Sequence, residues 1–152
     1  MGRGLAEMGQ NPEGSALKNG LGEPSAYVDR HRILIVEDDH AVLAILSKAF
    51  EALGFEVAKA KDGLEGWRLV SGNHFDLVLT DLGLPGLDGL TLASRSKESW
   101  PGTPVVLMTG DAPKVNQDSG CIDVVLIKPF KLADIVKILD RLGLAGMKKS
   151  RL

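Results

Sequence analysis

A single cysteine, Cys121, denies the chain any intramolecular disulfide or cysteine-rich zinc site, and no basic or histidine-rich neighbours mark its thiol as reactive. Charge of one sign is equally scarce. Eighteen Lys and Arg stand against 20 Asp and Glu, and the net charge of -2 gives no footing for a nucleic-acid or membrane surface. No apolar run approaches the roughly 20 residues of a membrane span, and the N-terminus lacks the apolar segment of a secretory signal. Position 6 is Ala where N-myristoylation of Gly2 needs Ser or Thr, and Ser150-Arg151-Leu152 reads as a plain basic end. Trp67 reads as a helix-face residue and Trp100 as a loop anchor, without the basic and aromatic interleaving of a nucleic-acid surface. The expectation is a cytoplasmic protein with no direct nucleic-acid contact and no membrane insertion.

What remains is enough for one domain. At 152 residues with 44% apolar and 25% charged composition, the chain lies in the globular range and has room for one ordinary core. Residues 1–30 are rich in Gly and carry Pro12 and Pro24 with neither a strand nor a helix period, so they read as a flexible leader. The folded domain is expected over 31–143, with 144–152 as a short basic tail.

Within that domain, apolar strands alternate with amphipathic helices. Arg32 to Val36 is a β-branched run ending on Glu37-Asp38-Asp39, and Val42, Ile45, Leu46, Ala49, Phe50 and Leu53 then recur at helical spacing until Gly54. Phe55 to Ala60 is a second strand, after which Asp62 caps a short helix through about Val70. Asp76 to Thr80 is a third strand ending on Asp81, and Asp88 caps a helix through about Ser99. Pro104 to Met108 and Ile122 to Ile127 are the fourth and fifth strands, ending on Thr109-Gly110 and on Lys128-Pro129. Leu132, Ile135, Val136, Leu139 and Leu142 stripe the last helix, which Gly143 closes. Between Gly110 and Cys121 the chain is short and polar, so a helix there is short or absent. Five repeats of this alternation predict an α/β fold with a doubly wound parallel sheet and helices on both faces.

In such sheets ligands bind beyond the carboxyl ends of the strands. Those ends gather Asp38 and Asp39, then Asp81, Thr109 and Lys128. Three carboxylates at one mouth repel unless their pKa values rise or a cation sits among them. Oxygen ligands without His or Cys point to a hard ion, with Mg²⁺ the best fit. Lys128 and Thr109 suit phosphoryl oxygens, so the chemistry indicated is phosphoryl transfer onto a carboxylate. The blander reading of Asp38 and Asp39 is a helix cap, although a cap needs only one of them.

Four motifs, each at a strand end, carry a resemblance: Ile35-Val36-Glu37-Asp38-Asp39, Asp81 through Gly89 (DLGLPGLDG), Met108-Thr109-Gly110 and Lys128-Pro129-Phe130. From about Arg32 to Leu142 the chain resembles the receiver domain of bacterial two-component response regulators, in the manner of a stand-alone chemotaxis regulator. The resemblance implies the flavodoxin-like five-stranded sheet of order 2-1-3-4-5 and a cis Lys128-Pro129 bond. It implies that Asp81 is the phosphoacceptor, served by a histidine kinase or phosphotransfer protein. Asp38, Asp39, Asp81 and the backbone carbonyl of Gly83 would hold Mg²⁺, while Thr109 and Lys128 contact the phosphoryl group. Such a protein is not an enzyme in the usual sense and signals by contact with an effector that the sequence does not name. Two departures stand against the family pattern: Val125 occupies a position that is often aromatic, and the segment before the fifth strand is short. They motivate an alternative, a constitutive interaction module that keeps the pocket and does not switch.

Overall fold

A computed structural model of the chain describes residues 30–111 and 120–145. Five strands, β1 (Arg32–Val36), β2 (Glu56–Ala60), β3 (Leu77–Asp81), β4 (Val105–Thr109) and β5 (Val124–Ile127), form one sheet in the order β2-β1-β3-β4-β5. Every neighbouring pair is parallel. Among the described residues there are four helices, α1 (His40–Ala52), α2 (Gly63–Gly72), α3 (Gly89–Ser99) and α4 (Leu132–Arg141). The expected doubly wound order is therefore present. The leader up to residue 29, the crossover segment 112–119 with its short or absent helix, and the tail from 146 lie outside the described residues.

The three central strands, β1, β3 and β4, read as apolar runs because both of their faces are covered, whereas the edge strand β2 carries exposed Glu56 and Lys59. Alternate residues point to opposite sides of a strand. Ile33, Ile35, Leu77 and Leu79 pack on one side with Leu46 and Phe50 of α1 and Ile135 and Leu139 of α4. Leu34, Val36 and Val78 pack on the other with Val70 of α2 and Leu92 and Ala93 of α3. Both layers are fully buried, and together they hold the strand ends in fixed register.

Strand boundaries differ from the sequence reading by one or two residues: β2, β3 and β4 each start one residue later, at Glu56, Leu77 and Val105. Asp81 and Thr109 are the last residues of β3 and β4, still paired with their neighbours, rather than the first beyond them. β5 starts at Val124, because Asp123 turns its carboxylate to the backbone N–H of Val105 at 2.7 Å. The helical stripes are also wider than the sheet covers: Ile45 of α1 is 69% exposed, and Leu132 and Val136 of α4 are 56% and 42% exposed. Gly143 follows α4 at φ +73, a left-handed position that favours glycine. No helix among the described residues is long and apolar enough to cross a membrane.

Candidate functional site

The sheet order puts β1 beside β3 and β3 beside β4, so the carboxyl ends of the three central strands open on one mouth. Val36 stands opposite Thr80, and one residue further Glu37 and Asp81 leave adjacent strands side by side. Glu37 still belongs to the ladder, since its N–H donates to the carbonyl of Ala60 at 3.0 Å. Its side chain is 2% exposed. Lys128 reaches in from the end of β5, with Nζ 2.9 Å from Asp81 Oδ1 and 3.3 Å from Glu37 Oε1. The peptide that follows it, Lys128-Pro129, is cis.

Glu37, Asp38 and Asp81 each offer a carboxylate oxygen, and the three oxygens lie within 4.8 Å of one another. The acidic group is thus displaced by one residue from the sequence reading, which pairs Asp38 with Asp39. Asp39 is the N-cap of α1, and its Oδ1 accepts from the N–H groups of Ala41 at 2.9 Å and Val42 at 3.2 Å. Its own N–H donates to Glu37 Oε2 at 3.1 Å. Glu37 escapes the sequence reading because two aspartates follow it. The available signal is the strand period, which continues Ile33 and Ile35 to Glu37 and so puts its side chain on the same face of the sheet as Leu77, Leu79 and Asp81.

Electrostatics at the mouth follow from burial and crowding. Burial pushes the Glu37 carboxyl above its ordinary value; the Asp39 N–H opposes this, the Asp81 charge adds to it, and Lys128 opposes it. Burial alone would lower the Lys128 ammonium, but the hydrogen bond and charge of Asp81, with those of Glu37, outweigh it and raise its pKa. Lys128 is therefore a fixed cation.

Thr109 and Gly83 border the site differently. The Thr109 side chain is buried, and its hydroxyl accepts from the Asp111 N–H at 3.0 Å and donates to the Asp111 carbonyl at 3.4 Å. It is engaged with the loop that follows it. Gly83 lies two residues beyond Asp81 in the exposed part of the 82–88 loop. Val125 is half-buried against the core layer shared with α2 and α3.

The model of the response regulator receiver domain matches residues 33–140. The chain belongs to that family. Among curated relatives of this receiver, the response regulator receiver protein CpdR of Brucella abortus is 35% identical over 118 residues, which cover 76% of this chain and 98% of the relative. The regulatory protein AtoC of Escherichia coli is 38% identical over 124 residues, 78% of this chain but 27% of the relative. The receiver spans about half or less of the transcriptional regulators that it matches. A CheY-like receiver from Methanospirillum hungatei has 29% identity and a TM-score of 0.69, covering 76% of this chain and 95% of that one. The receiver of a Pseudomonas aeruginosa sensor histidine kinase, solved with a magnesium ion in its active site cleft, has 28% identity and a TM-score of 0.68, covering 75% and 98%. Receiver domains bind Mg²⁺ in an acidic cleft and take phosphoryl groups from histidine kinases or phosphotransfer proteins.

Proposed function

We propose that this receiver takes a phosphoryl group on Asp81 from a histidine of a kinase or phosphotransfer protein and passes the signal on by protein contact, with no turnover of its own. The observation that supports it most is the approach of Lys128 Nζ to Asp81 Oδ1, 2.9 Å, at a mouth that holds two further carboxylates. A lone strand-end aspartate needs no such company. An oxygen of Asp81 attacks phosphorus, the P–O bond forms as the P–N bond to the donor imidazole breaks, and the electron pair returns to the ring nitrogen. The Lys128 ammonium, held by Asp81 and Glu37 beforehand, is in place to neutralise a phosphoryl oxygen without reorganisation. The oxygen-only set of Glu37, Asp38 and Asp81 fits Mg²⁺, with the Gly83 carbonyl as a further ligand. Bound there, Mg²⁺ would supply charge neutralisation of the transferring group.

For Thr109 to donate to a phosphoryl oxygen, its hydroxyl has to release the Asp111 carbonyl, which would carry the state of Asp81 to the loop after β4. The stand-alone reading draws on the Brucella relative, 98% of which the chain covers. A cytoplasmic location accords with a donor charged by ATP. Incubation with Mg²⁺ and a small phosphodonor, followed by intact mass at acid pH, should give one phosphoryl adduct on the wild type and none on Asp81→Ala. No wild-type adduct, or an undiminished one in the variant, defeats the reading.

A second reading, a constitutive module that does not switch, is favoured by one observation. Val125, where an aromatic side chain could turn inward, is already half-buried in the core. Beryllofluoride with Mg²⁺ should then leave amide shifts at residues 109–111 and 120–130 unchanged. Shifts in that region decide for the switching receiver.

A further inference from the structure

Gly63 brings no side chain to the mouth, and what marks it is what a side chain there would strike. A Cβ at this position would stand 1.7 Å from the carbonyl oxygen of Leu87 and 2.6 Å from its carbonyl carbon. Both are backbone atoms, so no change of rotamer relieves the contact. The first turn of α2 is thus laid directly against the peptide of Leu87, an approach that only glycine permits. Leu64, next in that turn, covers Gly86, whose φ is +79; a Cβ on Gly86 would meet Leu64 side-chain atoms at 3.8 Å. The turn itself is pinned. Asp62 accepts from the Glu65 N–H at 2.8 Å, and Glu65 Oε1 accepts from the Lys61 N–H at 2.9 Å.

Leu87 and Gly86 belong to the loop 82–88 that begins directly after Asp81. The neck of this loop is closed with equal tightness. Gly89 donates its N–H to the Leu82 carbonyl at 3.0 Å, and a Cβ on Gly89 would lie 2.2 Å from the Asp81 carbonyl oxygen. The Thr80 hydroxyl donates to that same carbonyl at 3.0 Å. The loop is thus fixed at its neck by Gly89 and at its crown by Gly63 and Leu64, and Gly83, exposed and with nothing within 4 Å of an added Cβ, takes its position from these two anchors rather than from contacts of its own.

We propose that the first turn of α2, through Gly63 and Leu64, is the positioning element of the acceptor loop: it sets where the Gly83 carbonyl stands against Asp81, and with that the affinity for Mg²⁺. This rests on the reading of Gly83 as a metal ligand. Gly63 and Leu64 are positioning residues and touch neither the phosphoryl group nor the ion.

The test is a Mg²⁺ titration of the full chain, read by the amide shifts of Gly83 and Gly89 and, separately, by the Mg²⁺ dependence of phosphorylation. Gly63→Ala should raise the half-saturating Mg²⁺ concentration about tenfold, the effect typical of groups that orient ligands. Excess Mg²⁺ should return its phosphorylation rate to near the wild-type value, because Asp81 and Lys128 are intact; the metal-free amide spectrum should remain that of a folded chain, which separates this from a destabilised fold that any ligand of the folded state would also rescue. Gly72→Ala, in the same helix with nothing within 4 Å of the added Cβ, is the control and should leave the half-point unchanged. Should Gly63→Ala fail to fold, Leu64→Ala decides, since Leu64 is 47% exposed and its truncation leaves the core whole. Its half-point should rise two- to threefold. An unchanged half-point in folded Gly63→Ala, or in Leu64→Ala where the first does not fold, overturns the proposal, as does a wild type without saturable Mg²⁺ shifts. A wild type that binds Mg²⁺ yet takes no phosphoryl group overturns the phosphoacceptor reading alone.

Discussion

At the amino end of the sheet, Asp76 and Asp123 each precede a strand by one residue and form the same reciprocal pair with the first residue of the neighbouring strand. Asp76 donates its N–H to the Arg32 carbonyl at 2.8 Å and takes the Arg32 N–H on Oδ2 at 2.7 Å. Asp123 does the same with Val105, at 2.9 and 2.7 Å, and adds Lys97 Nζ at 2.7 Å. At the carboxyl end, Glu37, Asp38 and Asp81 crowd together with Lys128 as the cation between two of them. The difference lies in what the strands leave spare. Leading N–H groups of a parallel strand welcome a carboxylate, whereas trailing carbonyls offer it nothing, so acids there accumulate charge that a cation or a phosphoryl transfer can use. One end spends its acids on the fold and the other holds them for chemistry.

The two ends of the sheet differ most at Lys128. Lys128→Ala should slow phosphorylation by a small donor about a hundred- to a thousandfold, the usual loss when a preorganised charge is removed from a transferring group. The rate of adduct growth by intact mass reads it, and a loss under threefold would show that the 2.9 Å contact is incidental to the chemistry. At the amino end the expected result is inverted. Asp123→Ala leaves the Val105 N–H without its acceptor and Lys97 with only the Thr103 carbonyl, so urea unfolding should show a loss of about 2 kcal/mol. Its phosphorylation rate should match the wild type once the protein is folded, and a lowered rate would mean that the two ends are coupled.

The two ends also differ in how far the sequence betrays them. The three central strands are legible because both faces of each are covered, which turns them into apolar runs, and the carboxyl-end rule then assembles Asp81, Thr109 and Lys128 from separate stretches. Glu37-Asp38-Asp39 does not resolve by the same means. Three consecutive acids differ only in where a strand stops and a helix starts, and a slip of one residue exchanges a buried strand-end side chain for a helix cap. Asp76 and Asp123 carry no local signal either, since their partners lie 44 and 18 residues away on neighbouring strands. The embrace of the acceptor loop by Gly63 depends on a backbone contact between elements that no local pattern encodes.

Glu37 adds a dependence on pH to the carboxyl end. Its folded pKa is raised, chiefly by burial, so the fold binds a proton there more readily than the unfolded chain does. The associated stability is present in full below the unfolded value of 4.5 and is lost as pH rises through the folded one. Glu37→Gln should therefore unfold at a higher urea concentration than the wild type at pH 7 in metal-free buffer, by on the order of 1 kcal/mol. That advantage should vanish below pH 4.5, where the wild-type carboxyl is neutral in both states. An equal gain at both pH values would assign the effect to packing rather than to charge.

Asp39 gives the smallest effect and the finest distinction. Its Oδ1 caps α1 through two N–H groups, so Asp39→Ala should cost about 1 kcal/mol of stability, the ordinary value of an aspartate cap. Its Mg²⁺ half-saturation should stay within about twofold of wild type, because the carboxylate is not among the three clustered oxygens. Asp38→Ala should do the reverse, leaving the cap whole and weakening Mg²⁺ by about tenfold or more. The two residues are neighbours of one type and both exposed, so composition, charge and accessibility cannot explain a difference between them. If Asp39→Ala weakened Mg²⁺ as far as Asp38→Ala, the cap would have to open when the ion binds, and the division of labour within the acidic triplet would depend on occupancy rather than on the end of β1.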